Sequence, residues 1–132
     1  MRHRKTLIAV VAIAALALTL GTADATQTVR IPSRITIEQH GSLTFHGRVK
    51  SENAGCKNAR HVSLYRRGTD GSRQRLGVDV TGPNGKWRIT VSGFAGVSLS
   101  HFYAKVRRRA EGTAGTIFVC KSADSETTAF EN

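Results

Sequence analysis

Histidine is the side chain here with the broadest chemistry, because imidazole can hold a metal ion or transfer a proton. Four histidines follow the N-terminal apolar segment, at His40, His46, His61 and His101, and no two have H-x-H or H-x-x-x-H spacing. We expect His46 and His61 to approach each other on adjacent strands, on an outward face. A metal site needs three or four ligands with supporting hydrogen bonds. The spacing therefore predicts solvated histidines, with no metal and no cofactor.

Serine catalysis requires a neighbouring base, an acid that orients it, and a strained backbone at the nucleophile. No G-x-S-x-G motif is present. The serines fall on predicted strands or at their ends: Ser42, Ser63, Ser92, Ser98 and Ser100. Acidic residues are few, and most lie in predicted loops or near the C-terminus. These patterns predict a protein that is not an enzyme and has no catalytic residues.

The two cysteines, Cys56 and Cys120, have no second cysteine or histidine close by in the sequence. In an exported protein such a pair is most simply a disulfide. Closing so long a loop stabilises a fold by about 4 kcal/mol in the chain-entropy model. The alternatives are a pair of metal ligands and a free nucleophile.

Arginine provides the main functional signal, in two clusters. Arg66 and Arg67 end one predicted strand, Arg73 and Arg75 begin the next, and Arg107, Arg108 and Arg109 follow a later one. If the first two strands form a hairpin, its four arginines gather at the tip. The second cluster, Arg107 to Arg109, lies either at the same end of the fold as this tip or at the opposite end. Such clusters attract polyanions: nucleic acid, acidic polysaccharide, teichoic acid or anionic lipid. The alternative is a solvated charge that keeps edge strands from aggregating.

The aromatic residues argue against specific recognition of nucleic acid. We expect them at core or half-buried strand positions, where they provide no platform for stacked bases; they are Phe45, Tyr65, Trp87, Phe102 and Tyr103. The predicted compartment, derived next, argues against it as well.

The N-terminus has the three parts of a secretory signal. A basic head, Arg2 to Lys5, precedes the apolar stretch Leu7–Leu20, and Ala23 and Ala25 suit cleavage before Thr26. As a helix, the apolar stretch rises about 21 Å, short of the roughly 30 Å of a membrane core. We therefore predict a signal peptide over residues 1–25, a secreted or envelope-associated protein, and no transmembrane segment after cleavage.

Cleavage leaves 17 basic residues against 8 acidic ones, because the signal holds three basic residues and one acid. Residues 26–132 suit one domain in length. Alternating apolar residues predict short strands there, with no helical periodicity. The expected strands include 34–39, 42–50 and 61–67, others around Val78, Ile89 and Ala104, one at 117–120, and a weak one at 125–130.

Turn signals separate these strands. Asn84-Gly85 predicts a hairpin, since both residue types tolerate positive φ. We expect loops at 51–60 and at 110–115. The pattern predicts an all-β fold: a seven- to eight-stranded antiparallel Greek-key sandwich, immunoglobulin-like or transthyretin-like, with one disulfide.

The stretch from Thr44 to Val106 carries a recognisable arrangement. Its parts are Phe45-His46-Gly47-Arg48-Val49, Val62-Ser63-Leu64, Val80 to Trp87 and Tyr103-Ala104-Lys105-Val106. This resembles the transthyretin-like, or carboxypeptidase-regulatory-like, sandwich domains of small exported bacterial proteins. The resemblance implies close sheet packing at Gly47, a hairpin at Gly85 and a core plug at Trp87. It implies no ligand role.

The sequence thus leads to two functional hypotheses. The first is a secreted, non-enzymatic module that docks through its arginine-rich strand ends to an anionic cell-envelope polymer. The second is a structural domain that recognises a protein partner by edge-strand pairing, with its charge incidental.

Overall fold

The computed structural model describes residues 26–41, 43–92 and 101–129 of the chain. The predicted signal peptide, residues 1–25, lies outside the described residues. Most of the predicted glycine-rich connection after Val91 and the end of the predicted eighth strand, at Phe130, also lie outside them.

Strands account for nearly all regular structure in the described ranges, so the fold is all-β as predicted. Their bounds are β1 Gln27–Ile31, β2 Arg34–Ile35, β3 Glu38–His40, β4 Thr44–Lys50, β5 His61–Arg67, β6 Arg73–Val80, β7 Lys86–Thr90, β8 His101–Val106, β9 Arg109–Thr113, β10 Thr116–Cys120, β11 Ala123–Asp124 and β12 Thr128–Ala129. A single 3₁₀ turn, Ala54–Cys56, lies in the predicted loop between β4 and β5. These segments exceed the seven or eight strands expected, partly because the predicted strand 34–39 is interrupted and forms both β2 and β3.

Two sheets form the sandwich. In one, β2 and β3 pair with one side of β4 and β7 pairs with the other. In the other, the order is β11-β8-β5-β6, and β12 also pairs with β8. The chain passes from β4 to the second sheet, returns for β7, and leaves again for β8, which is a Greek-key path.

The core lies between these sheets because each strand turns its apolar alternate residues inward. Phe45 and Val49 of β4, with Trp87 and Ile89 of β7, face the second sheet. The second sheet contributes three residues from β8 and two from β5: Phe102, Ala104, Val106, Val62 and Leu64. Phe45 and Phe102 make contact across the core, with ring centroids 4.9 Å apart.

A third sheet, β1-β10-β9, flanks the sandwich. The predicted loop at 110–115 is wrong, because most of it forms β9 and the turn into β10. The two sheets of the sandwich are antiparallel as predicted, whereas in this third sheet β1 runs parallel to β10. Cys120 at the end of β10 forms the disulfide with Cys56, with Cα atoms 5.4 Å apart. The disulfide therefore joins this sheet to the loop after β4.

Strand β6 departs from the alternation that the sequence suggests. A bulge interrupts its pairing with β5: Leu64 lies opposite Gly77, whereas Tyr65 lies opposite Arg75. Because one extra residue exchanges the faces of a strand, Val78 and Val80 point outward, with 64% and 49% of their surface exposed. Gly77 takes the inward position, where a Cβ would come within 2.5 Å of Ile89 Cγ2.

The Asn84-Gly85 turn is not the predicted hairpin. It connects β6 with β7, which lie in different sheets, and of its two residues only Gly85 has positive φ. Gly85 also lies against β4, since a Cβ there would be 2.2 Å from the Val49 carbonyl oxygen. The turn is therefore a crossover between sheets that requires glycine.

Gly47 and Trp87 lie opposite each other on β4 and β7. A Cβ on Gly47 would lie 1.9 Å from the Thr36 carbonyl oxygen and 2.9 Å from Trp87 Nε1. Trp87 is 2% exposed. The close packing at Gly47 and the core position of Trp87 thus agree with the prediction.

Candidate functional site

The outer surface of β5, β6 and β8 contains a pair of stacked tyrosines. Tyr65 of β5 lies opposite Tyr103 of β8, and both side chains point away from the core because their neighbours Leu64 and Ala104 point into it. The ring centroids are 5.3 Å apart and the ring planes differ by 19°. We call this surface the tyrosine face. From the sequence, we did not expect these two residues to form a stacked pair on the surface.

Two arginines lie over the tyrosine rings. The Arg73 Cζ is 4.9 Å from the centroid of Tyr65, and the Arg67 Cζ is 5.1 Å from that of Tyr103. Such cation–π contacts are weakly favourable at an exposed site. They place the two guanidinium groups, rather than the rings, at the surface, and Tyr103 is only 4% exposed.

A hydrogen bond to Tyr103 raises the pKa of the Arg73 guanidinium, and the nearby Asp124 has a smaller effect in the same direction. At the turn, hydrogen bonds from Ser72 lower the pKa of the Asp70 carboxyl, with a smaller contribution from Arg66. Both effects favour the charged forms of these groups. The tip of the hairpin therefore carries one acid among its arginines.

The four arginines of the first predicted cluster do gather at one end of the β5–β6 hairpin. Arg67 pairs with Arg73, Arg66 pairs with Gln74, and Arg75 pairs with Tyr65. Among the described residues, carboxylates lie within ion-pairing distance of only two side chains, His46 and Arg109. In the described part of the chain, none of these four arginines therefore has a carboxylate oxygen within 4.0 Å of its guanidinium nitrogens.

Arg107 and Arg108 lie at the opposite end of the same sheet. Arg67 pairs with His101 at one end of β8, whereas the Arg107 N–H donates to the His61 carbonyl at the other. The six residue-to-residue steps of β5 from His61 to Arg67 span about 20 Å. Arg107 and Arg108 line a cavity of about 350 Å³ together with Ser63, Tyr65, Lys105 and Ser122. The two clusters are thus the ends of one strip that crosses the tyrosine face.

Arg109 differs from its two neighbours. It donates hydrogen bonds to the carbonyls of Asn58 (2.7 Å), Ala59 (3.0 Å) and Gly55, and its Nε lies 3.4 Å from Glu111 Oε1. These contacts attach β9 to the loop that carries Cys56. Arg109 is therefore occupied by the fold and is not part of the strip.

The sequence interpretation missed Arg60, which is completely buried. Its guanidinium donates to the Cys56 carbonyl (2.7 Å), the Ser33 hydroxyl (3.0 Å), the Arg107 carbonyl (2.9 Å) and the Lys121 carbonyl (3.1 Å). Burial lowers the pKa of Arg60, and the charge of Arg109 lowers it further. Four separate segments thus meet at one cation. No local motif marks this position; it could be recognised only from the three-dimensional neighbours.

The predicted approach of His46 to His61 is wrong, because β4 and β5 belong to different sheets and these side chains lie on opposite outer faces. His46 instead lies beside His40, with ring centroids 6.3 Å apart, and 3.8 Å from Glu38. Within the described ranges, no group of three or more potential ligands could hold a metal ion.

These features define an all-β sandwich with a cationic surface backed by tyrosines. The sequence matches no family model, and no curated protein or solved structure shows significant similarity to it. No helix in the described part of the chain is long and apolar enough to cross a membrane.

Proposed function

We propose that this protein is an exported, non-enzymatic module that docks to an anionic polymer of the cell envelope through the tyrosine face. The observation that carries the proposal is the placement of Arg67 and Arg73 over Tyr103 and Tyr65. Stacked guanidinium groups lose less conformational freedom on binding than free ones, and they can contact phosphate or carboxylate groups in a bidentate manner.

The shape of the strip suits a chain rather than a single ion. Cations extend about 20 Å along the strands, from Arg67 and Arg73 to Lys105 and Arg107. An extended polymer can place successive anionic groups against both ends. Binding of this kind releases counterions and weakens steeply with salt. Base stacking is disfavoured because the Arg67 guanidinium covers Tyr103 and the Arg73 guanidinium covers Tyr65.

The test is a pull-down of the purified protein on isolated cell envelopes, at salt concentrations from low to high. We expect binding at low salt and release at moderate salt. Replacing both Arg67 and Arg73 with serine should reduce the slope of log affinity against log salt by about 2. Arg109 is left unchanged because its loss would disturb the fold.

The matched control replaces Arg30 and Lys121 with serine, which removes the same charge from exposed positions on or beside the third sheet. The control should bind as the native protein does. If both variants lose the same amount of affinity for the envelopes, the effect is one of net charge and the proposal is overturned. The absence of binding at low salt would also overturn it.

The second candidate is recognition of a protein by edge-strand pairing, and β9 is the strand that favours it. Among the described strands, β9 pairs only with β10, and its residues from Ala110 to Thr113 are exposed. The β6 and β7 edges suit this role less well, since the Asp79 carboxylate accepts hydrogen bonds from the N–H groups of Val80 and Arg88. Binding that resists high salt would support this candidate against the first.

A further inference from the structure

The outer face of the other sheet carries an unusual set of cross-strand pairs. Arg48 of β4 lies directly opposite Lys86 of β7, and His46 lies opposite Arg88. Like charges directly opposite each other destabilise an antiparallel pair. Two successive rows of basic side chains therefore occupy positions where oppositely charged pairs would have stabilised the sheet. We call this surface the second basic face.

The acidic groups near the second basic face are already occupied. Glu38 on β3 lies 3.8 Å from His46. Asp79 accepts hydrogen bonds from the backbone N–H groups of Val80 and Arg88, each at 2.8 Å. Within the described ranges, neither carboxylate lies within ion-pairing distance of Arg48, Lys86 or Arg88. The two carboxylates face four lysine and arginine side chains in the same cavity lining, so this face keeps a net positive charge.

A cavity of about 780 Å³ lies over these rows. Its lining includes Arg48, Lys50, Lys86 and Arg88, together with Gly47 and Trp87. Because alternate residues along a strand are about 7 Å apart, the two rows present cations at that interval along β4 and β7. A concave surface with regularly spaced cations complements a chain that carries one anionic group per repeat.

We propose that the second basic face is a separate binding site for a segment of a phosphate-bearing chain. A bound segment would lie along β4 and β7, with successive phosphates between Arg48 and Lys86 and beside Arg88. Since this face belongs to the opposite sheet, binding here does not require the tyrosine face. Where both sites bind, the protein would connect two anionic chains.

Trp87 provides a readout specific to this site. It is the only tryptophan in the chain, it lines the cavity, and the aromatic residues of the tyrosine face are tyrosines. Its indole N–H is buried and has no hydrogen-bond acceptor among the described residues. The ring lies in the core, on the inner side of β7. A phosphate bound on the outer side of the same strand changes the electric field at the ring, so we expect binding to alter tryptophan emission.

The experiment is a fluorescence titration of the purified protein with inorganic tripolyphosphate. We expect a saturable change in Trp87 emission. Replacing Lys86 and Arg88 with serine should weaken the apparent affinity about tenfold, while the ligand-free protein keeps or raises its melting temperature because a like-charge pair is removed. The variant with Arg67 and Arg73 replaced by serine should titrate as the native protein does.

Loss of the emission change in the tyrosine-face variant would show that Trp87 reports the other site, and would overturn the proposal. An unchanged titration after replacement of Lys86 and Arg88, or no emission change in the native protein, would do the same. If the protein still binds envelopes when this second site fails its test, the function proposed for the tyrosine face stands. The two proposals can therefore fail separately.

Discussion

Arg60 is a buried cation that has no carboxylate within hydrogen-bonding distance among the described residues. Its guanidinium instead donates to three backbone carbonyls and the Ser33 hydroxyl. Guanidinium suits this position because it directs several N–H groups in a fixed plane and stays protonated even when burial lowers its pKa. One side chain thus satisfies acceptors on the β1–β2 connection, the cysteine loop, and the segments after β8 and β10.

Replacing Arg60 with lysine keeps the charge but removes the planar arrangement of donors. At least two buried acceptors should lose their partners, and we expect the free energy of unfolding to fall by about 2–4 kcal/mol. Urea denaturation measures this change. The exposed Arg30→Lys variant is the control, and equal stability of the two variants would contradict the role assigned to Arg60.

At the scale of single elements, the disulfide connects distant segments of the chain, whereas the β5–β6 bulge determines which side chains of β6 are exposed. The disulfide connects segments 64 positions apart, and Ile31 and Val29 of β1 pack against it. The bulge exposes Val78 and Val80 while keeping Tyr65 and Arg75 paired on the outer face. The disulfide therefore attaches the third sheet to the sandwich, whereas the bulge shapes the tyrosine face.

Replacing Cys56 and Cys120 together with serine should lower the free energy of unfolding by about 4 kcal/mol in the chain-entropy model. We expect binding to envelopes at low salt to persist wherever the variant remains folded, because neither cysteine side chain belongs to the strip of cations. Calorimetry and the salt-graded pull-down measure the two effects. An unchanged melting temperature would mean that the disulfide does not stabilise the fold.

At the scale of the whole molecule, both outer faces of the sandwich are basic. The chain has 20 lysines and arginines against 9 acidic residues, and the alternation of strands directs many of these cations outward on each sheet. A protein with such a charge distribution attracts anions from either side and associates with them rapidly at low salt. If both proposed sites bind, we expect the protein to cross-link anionic polymers.

The intact mass of the protein recovered outside the cell tests the predicted export. The chain should begin at Thr26, after removal of residues 1–25, and should be two hydrogens lighter than the dithiol form. Mass spectrometry before and after reduction measures both properties. A chain that still begins at Met1 would refute the predicted signal peptide, and two free thiols would refute disulfide formation in the exported protein.

Local sequence patterns were sufficient for much of the fold. Alternation placed β5 at His61–Arg67, as observed, and predicted the inward residues of β4, β7 and β8. These predictions succeeded because a strand between two sheets must bury every second side chain. The pairing of the two cysteines and the gathering of four arginines at a hairpin tip also followed from spacing and turn signals.

Tertiary structure decided the rest, because register and sheet membership depend on partners that are distant in sequence. The β6 bulge reversed the faces of Val78 and Val80, and the Asn84-Gly85 turn became a crossover between sheets. Only cross-strand pairing could bring Tyr65 beside Tyr103 or Arg48 opposite Lys86. The sequence by itself determined an all-β, strongly basic chain with one cysteine pair; the long-range pairing of its strands decided which cations share a surface.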